Sequence, residues 1–274
     1  MIRALSKINV IIDRQNRWLV EDLTAEELVL HDKLDSFLAE YCNFHRLTAD
    51  KAADLFMTFI SRFSKDLARF EETGIFAAPQ TQPHSILMDR TTYDVSLIIS
   101  TLVTKHRFEI MKRINQISVP TGNCLVIGVG PGLELLLLEG KNNRIEAYDP
   151  TLSAFVSHRF TQVNLIEEFF VSSPTNRYET IFAIELLEHL DNPLQLIEAA
   201  QGGLKPGGRL WTTTIKNVPQ FDHVYNFTDA ANFEKQVEIR GFSLIQKQVI
   251  AHEYLMSNLD ANNIFYLFET RELI

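Results

Sequence analysis

Cysteine is scarce in this chain: Cys42 and Cys124 are the only two among 274 residues, and they lie far apart. So thin a supply excludes a disulfide-stapled scaffold and a cysteine-built zinc module. Cys124 falls in an apolar run and reads as a buried thiol. Long hydrophobic runs are missing as well. An early apolar stretch, residues 8–12, stops at Asp13 and Arg14. That is too short for a signal-peptide core and far short of the ~18 residues that a membrane span needs. A cytoplasmic protein without a membrane span is the expectation. Positive charge is also in deficit, with 26 Lys and Arg against 35 Asp and Glu and a net charge of -9. That balance disfavours a nucleic-acid partner, because phosphate-backbone binding needs clustered cations. Internal repeats and low-complexity tracts are absent. What remains is an ordinary globular composition, 46% hydrophobic and 22% charged.

The chain changes character near Val119-Pro120-Thr121-Gly122. Residues 1–118 are expected to form a helical region, serving as substrate lid or homodimer surface. Residues 119–274 are expected to form the catalytic domain. Thr24 with Glu27 three residues on is a capping-box helix start, and Thr48 opens a second helix that runs to Gly74. Pro79 and Pro83 make residues 77–84 a loop. A third helix is expected over residues 92–114. Beyond Pro120, short apolar runs alternate with helical stretches. Strands are expected at 124–127, 145–148, 161–165, 180–184 and 209–215. Helices are expected from 133, over 194–201 and over most of 227–240. Two last strands, 244–251 and 264–270, have no helix between them and should pair antiparallel. The fold class is therefore α/β, a Rossmann-like doubly wound and mostly parallel sheet with an antiparallel C-terminal strand and an N-terminal helical domain.

Val126-Ile127-Gly128-Val129-Gly130-Pro131-Gly132 joins the first strand to a helix, and Tyr148-Asp149 ends the next strand. Glycines there let a ligand approach the unsatisfied N–H groups of the helix start. In a parallel sheet this turn lies at the carboxyl edge, where ligands bind. An acid ending the second strand suits a ribose. The spacing is not the Gly-x-Gly-x-x-Gly of a pyrophosphate loop, and no Lys-Ser/Thr follows as in a Walker loop.

Leu187-Glu188-His189-Leu190 and Leu204-Lys205-Pro206-Gly207-Gly208-Arg209-Leu210 follow. With the glycine loop, they make the region from Pro120 onward resemble class I S-adenosylmethionine-dependent methyltransferases, in the broad group that includes the ubiquinone-biosynthesis O-methyltransferases. The resemblance implies S-adenosyl-L-methionine as cofactor, with S-adenosyl-L-homocysteine as product. It implies that Gly128, Val129, Gly130 and Gly132 meet the methionine part and that Asp149 and Pro150 flank the ribose. Asn164 and Leu165 match the adenine contacts, and Glu185 and Leu186 border cofactor and acceptor. One departure is Val126, where the group usually carries an acid toward the methionine ammonium.

Methyl transfer from a sulfonium needs an aligned acceptor and, for a hydroxyl or ammonium, a base. His223 is the first choice of base, because it follows the fifth strand at the ligand edge, and His189 is the second. Tyr225, Tyr93 and His106 are the candidate acceptor-pocket residues. Trp211 is expected to pack in the fifth strand. A less favoured alternative makes Glu185, Glu188, His189 and His223 a divalent-metal set, similar to that of small-RNA 2′-O-methyltransferases. The expected activity is methyl transfer to an O or N atom of a small molecule, including a natural product or peptide. Its alternatives are aminoalkyl transfer from the same cofactor and a non-catalytic partner protein of the same fold.

Overall fold

The computed structural model describes residues 23–76, 88–141, 144–172, 175–252 and 259–271. The apolar run at 8–12 and the loop expected at 77–84 lie outside them.

Among the described residues, four helices come first: α1 (Ala25–Phe44), α2 (Ala49–Thr73), α3 (Arg90–Val103) and α4 (Lys105–Gln116). The capping box at α1 forms in both directions. Thr24 N–H donates to Glu27 Oε2 at 2.8 Å, and Glu27 N–H donates to Thr24 Oγ1 at 3.3 Å. Lys112 of α4 donates to Glu27 Oε1 at 2.9 Å. That bond, with the cap, holds the Glu27 carboxyl down from 4.5 to about 2. A lowered folded-state value stabilises the native state above pH 4.5 and loses that contribution as pH falls toward about 2. Melting temperatures of the native chain and of Glu27→Gln should therefore differ at neutral pH and converge through that acid window. A gap that persists in acid would refute it.

The single helix expected over 92–114 is two. Thr104 is extended, at φ -115° and ψ 128°, and divides α3 from α4. The β-branched residues Thr101, Val103 and Thr104 crowd this turn. Thr104 N–H closes α3 on Ser100 O, and Thr104 O then accepts from Phe108 N–H to start α4.

The rest alternates: β1 (Asn123–Ile127), α5 (Leu133–Leu138), β2 (Arg144–Tyr148), α6 (Ala154–Arg159), β3 (Asn164–Ile166), β4 (Tyr178–Ala183), a 3-10 turn (Leu187–His189), α7 (Pro193–Gly203), β5 (Leu204–Lys216), α8 (Ala230–Ile239), β6 (Phe242–Ala251) and β7 (Asn262–Thr270). The strands form one sheet in the order β3-β2-β1-β4-β5-β7-β6. The first five are parallel, and β7 lies antiparallel between β5 and β6. This is the Rossmann-like α/β architecture with an antiparallel C-terminal strand.

The period of two along each strand divides the core. One face carries Cys124, Val126, Phe182, Trp211, Phe265 and Leu267 in one cluster with Phe37, Phe56, Ile98, Phe108 and Ile114 of the N-terminal helices. The other carries Leu125, Ile127, Ile181, Leu210, Tyr266 and Phe268 against α7 and α8. Cys124 is buried, as expected, and burial pushes its thiol up to about 12. None of the described helices is long and apolar enough to cross a membrane.

Candidate active site

The carboxyl ends of β1, β2 and β4 open onto a cavity of about 440 Å³. Its near wall is made by Ile127, Gly128, Gly130, Tyr148, Asp149 and Pro150. Glu185, Leu186, His189 and Leu190 follow β4, and Phe221 and Asp222 follow β5. Helix α3 closes the far side with Arg90, Tyr93 and Leu97.

Asp149 is the electrostatic centre of the near wall. Its Oδ2 accepts the Gly130 N–H at 3.0 Å, and its Oδ1 accepts the Thr151 N–H at 2.9 Å. One carboxylate thus ties the glycine loop to the loop after β2. Arg90 reinforces the tie from α3. It donates to Gly130 O at 2.8 Å and to Thr151 O at 2.6 Å, and it pairs with buried Asp94 at 2.8 Å. Its NH1 lies 3.9 Å from Asp149 Oδ1. Asp94 is one helical turn on, but the loop partners that bring Arg90 to the cavity are forty to sixty residues away, so the local sequence does not announce that tie.

The glycine loop works by three left-handed residues. Gly128, Gly130 and Gly132 have φ of 78°, 52° and 94°. Gly128 and Gly130 face the cavity, whereas Gly132 and Val129 turn from it. Gly132 packs on Phe160, and Val129 is fully buried in the core. Leu165 is half-buried and packs against the core on the helical side.

Asn164 needs correction. It begins β3 rather than ending it, and its Nδ2 donates to Glu146 Oε2 at 2.9 Å, away from the cavity. The ligand edge comes later, and the wall beyond β3 is Glu168, Phe169 and Phe170. The strand end was the missing signal. Placing it at Ile166 instead of Leu165 would have pointed onward to Glu168.

His189 lines the cavity, and His223 does not. His189 Nδ1 lies 2.9 Å from Asp222 O and 3.6 Å from Asp222 Oδ2. Burial works against its charged form, but the carboxylates of Asp222 and Glu188 outweigh burial and raise its basicity. Asp222 is held in turn by Tyr93 Oη at 2.8 Å and Gln220 Nε2 at 2.6 Å. His223 is buried behind this wall, and its Nδ1 is bound to Val218 O at 2.8 Å. Burial drives it down to about 3, and of the two histidines expected at the ligand edge only His189 reaches the cavity wall. Tyr225 is also displaced: it is surface-exposed and packs at a tilt against Phe227, outside the cavity. His106 is buried against His252 with ring centroids 3.7 Å apart, outside the cavity.

The four-residue metal set loses one member. Glu185, itself at φ 49°, is fixed by Thr213 Oγ1 at 3.0 Å, Asn263 Nδ2 at 2.6 Å and Arg107 at 3.4 Å. Among the described residues, Glu188, His189 and His223 offer ligand atoms within 4.8 Å of one another. The donor chemistry fits a divalent ion, and Glu188 Oε2 is buried without a hydrogen-bond partner among the described residues. Burial, then the neighbouring Glu185 charge, raises the Glu188 carboxyl to about 8.

A mostly parallel sheet with a ligand cavity at its carboxyl edge, a glycine loop and an acid after β2 defines a class I methyltransferase fold. The sequence pattern of the methyltransferase domain family matches residues 103–247, over half of the chain, and the chain belongs to that family. The mitochondrial ubiquinone biosynthesis O-methyltransferase of Dictyostelium discoideum is 28% identical over 122 residues, covering 37% of this chain and 38% of the relative. The ubiquinone biosynthesis O-methyltransferase of Xanthomonas campestris pv. campestris (strain B100) is 27% identical over 117 residues, or 38% and 47%. The chain thus spans less than half the length of these curated relatives. Among solved structures, the 1,6-didemethyltoxoflavin-N1-methyltransferase of Burkholderia thailandensis has a TM-score of 0.52 at 13% identity, covering 71% of this chain and 93% of the other. An N-methyltransferase of Bradyrhizobium japonicum WM9, in complex with S-adenosyl-L-homocysteine, has 0.50 at 16%, covering 78% and 99%. These two likenesses concern the fold.

Proposed function

We propose that the chain transfers the methyl group of S-adenosyl-L-methionine to an O or N atom of a small-molecule or peptide acceptor. The observation that carries this reading is the Asp149 carboxylate, which gathers the Gly130 and Thr151 N–H groups at the cavity edge. A carboxylate has about four acceptor sites; with the Thr151 hydroxyl also donating to Oδ1 at 3.3 Å, one stays open for a ribose hydroxyl, and a second opens when that long bond yields. Gly128 and Gly130 border the methionine, Pro150 the ribose, and Phe169 and Phe170 the adenine. Glu185 supplies the negative charge that Val126 cannot offer to the methionine ammonium.

The acceptor lies between the sulfonium and α3, against Tyr93, Leu97 and Phe221. Its heteroatom attacks the methyl carbon as the S–CH₃ bond breaks, leaving S-adenosyl-L-homocysteine. His189, oriented by its Nδ1–H donated to Asp222 O, stands on the cavity wall and takes the acceptor proton. The helices up to residue 118 act as the lid over this pocket. Calorimetry should show one-to-one S-adenosyl-L-homocysteine binding, and turnover should yield that compound rather than methylthioadenosine. Methylthioadenosine would mean aminoalkyl transfer, and no binding would mean a non-catalytic partner. His189→Asn should lower kcat by about 10²- to 10⁴-fold with cofactor affinity kept. An unchanged kcat would remove His189 as base.

A second reading has one observation in its favour, the orphaned Glu188 Oε2. Glu188, His189 and His223 would hold a divalent ion, which supplies a Lewis acid for an acceptor oxygen. Full turnover in excess chelator would exclude it.

A further inference from the structure

The sheet face that packs on the N-terminal helices is not covered completely. Trp211 and Leu267 are register partners on β5 and β7, and Phe265 lies two residues from Leu267 on the same face. Past them α4 ends, and its last turn carries Arg113. Between the helix end and these strands is a cleft of about 290 Å³. It shares no wall residue with the methyltransferase cavity.

The chemistry of this cleft is one-sided. Arg113 and Arg209 line it, and among the described residues no aspartate or glutamate does, in a chain whose net charge is -9. Arg209 has a partner, Glu269, at 3.4 Å. Arg113 Nε and Trp211 Nε1 are both buried with no hydrogen-bond partner among the described residues. Buried donors are nearly always satisfied, so two orphans beside one cleft call for an acceptor. Trp211 is only 7% exposed, and with Phe265, 5.6 Å away between ring centroids, it makes an aromatic wall.

We propose that this cleft is a second ligand site, for a small planar aromatic carboxylate. The guanidinium of Arg113 would take the carboxylate, since a planar fork matches its two oxygens. The ring would lie along Trp211, Phe265 and Leu267. A more highly charged anion such as phosphate matches this wall poorly, because the apolar surface offers it no further donors. The cleft also lies just below the roughly 300–1,000 Å³ of drug-sized sites, which limits the ligand to about one ring. Trp211 was expected only to pack in the fifth strand, and nothing in the methyl-transfer reading uses Arg113.

Benzoate is the probe, titrated calorimetrically into the full chain. Saturable one-to-one binding is expected, with no matching heat from benzyl alcohol, its neutral counterpart. Arg113→Gln should weaken benzoate by about tenfold or more. Ser118→Trp should abolish it by filling the cleft from its exposed rim. Ser118 is exposed, so that variant keeps the test decisive if Arg113→Gln folds poorly. Absence of saturable benzoate binding overturns the proposal. So does equal binding of benzyl alcohol, tighter binding of inorganic phosphate at this site, or an unchanged benzoate constant in Ser118→Trp.

Discussion

Asp149→Ala should weaken S-adenosyl-L-homocysteine binding by about 1–3 kcal/mol, a loss of roughly five- to 150-fold in Kd. Two losses add in that figure. The ribose loses its charge-assisted acceptor, and the Gly130 and Thr151 N–H groups lose the oxygens that hold both loops. Asp149→Asn separates them. Its amide oxygen can still accept one loop N–H, so its affinity should fall between the native and alanine values. Arg90 reaches the same two loops through Gly130 O and Thr151 O. Arg90→Gln should therefore weaken binding in the native background and have a smaller effect when Asp149 is already alanine, since shared partners make effects non-additive. Affinity unchanged in Asp149→Ala would place the ribose elsewhere.

Gly132→Ala should be the most damaging single methyl group that can be added to the chain's glycine loop. A Cβ there would stand 2.5 Å from Phe160 Cε2, on a backbone at φ 94°. The left-handed backbone costs a side chain about 1–2 kcal/mol, and overpacking a filled core costs about 1–3 more. Thermal or urea unfolding should thus show a loss of about 2–5 kcal/mol. Gly130→Ala is the control. It shares the positive φ, but nothing lies within 4 Å of its Cβ position. It should cost stability far less, while its methyl intrudes where the cofactor is proposed to lie. Equal unfolding midpoints for the two variants would contradict this.

The same contrast explains how much the sequence disclosed. Strands β1, β4 and β5 are buried on both faces, so their apolar runs stand out against the helices between them. β3 is three residues long at the sheet edge, and Asn164 is exposed, so no pattern marked its limits. The expectation for the cavity wall beyond β3 fell on Asn164 instead of Glu168, Phe169 and Phe170 for that reason. The glycine loop and Asp149 were legible because each is local to a strand end. Arg90 and Asp222 were not, since their meaning comes from partners brought in by the fold. His189 and His223 look alike as letters. Val218 O and Asp222 O distinguish them, by turning one ring into the interior and leaving the other on the cavity wall.

The core beneath α3 has a further bearing on how such a protein can change its acceptor. Tyr93 and Leu97 face the cavity, and on other faces of the same helix Val95, Ile98, Ile99 and Leu102 fill the cluster shared with the sheet. Arg90, at the start of the same helix, fastens it to the glycine loop. With the acceptor placed as proposed, selectivity and folding draw on one short segment. A shift of α3 that reshapes the acceptor pocket also moves the Gly130 contact and the main core. New acceptors are most cheaply reached by exchanging the cavity-facing residues in place, with the path of the helix left unchanged.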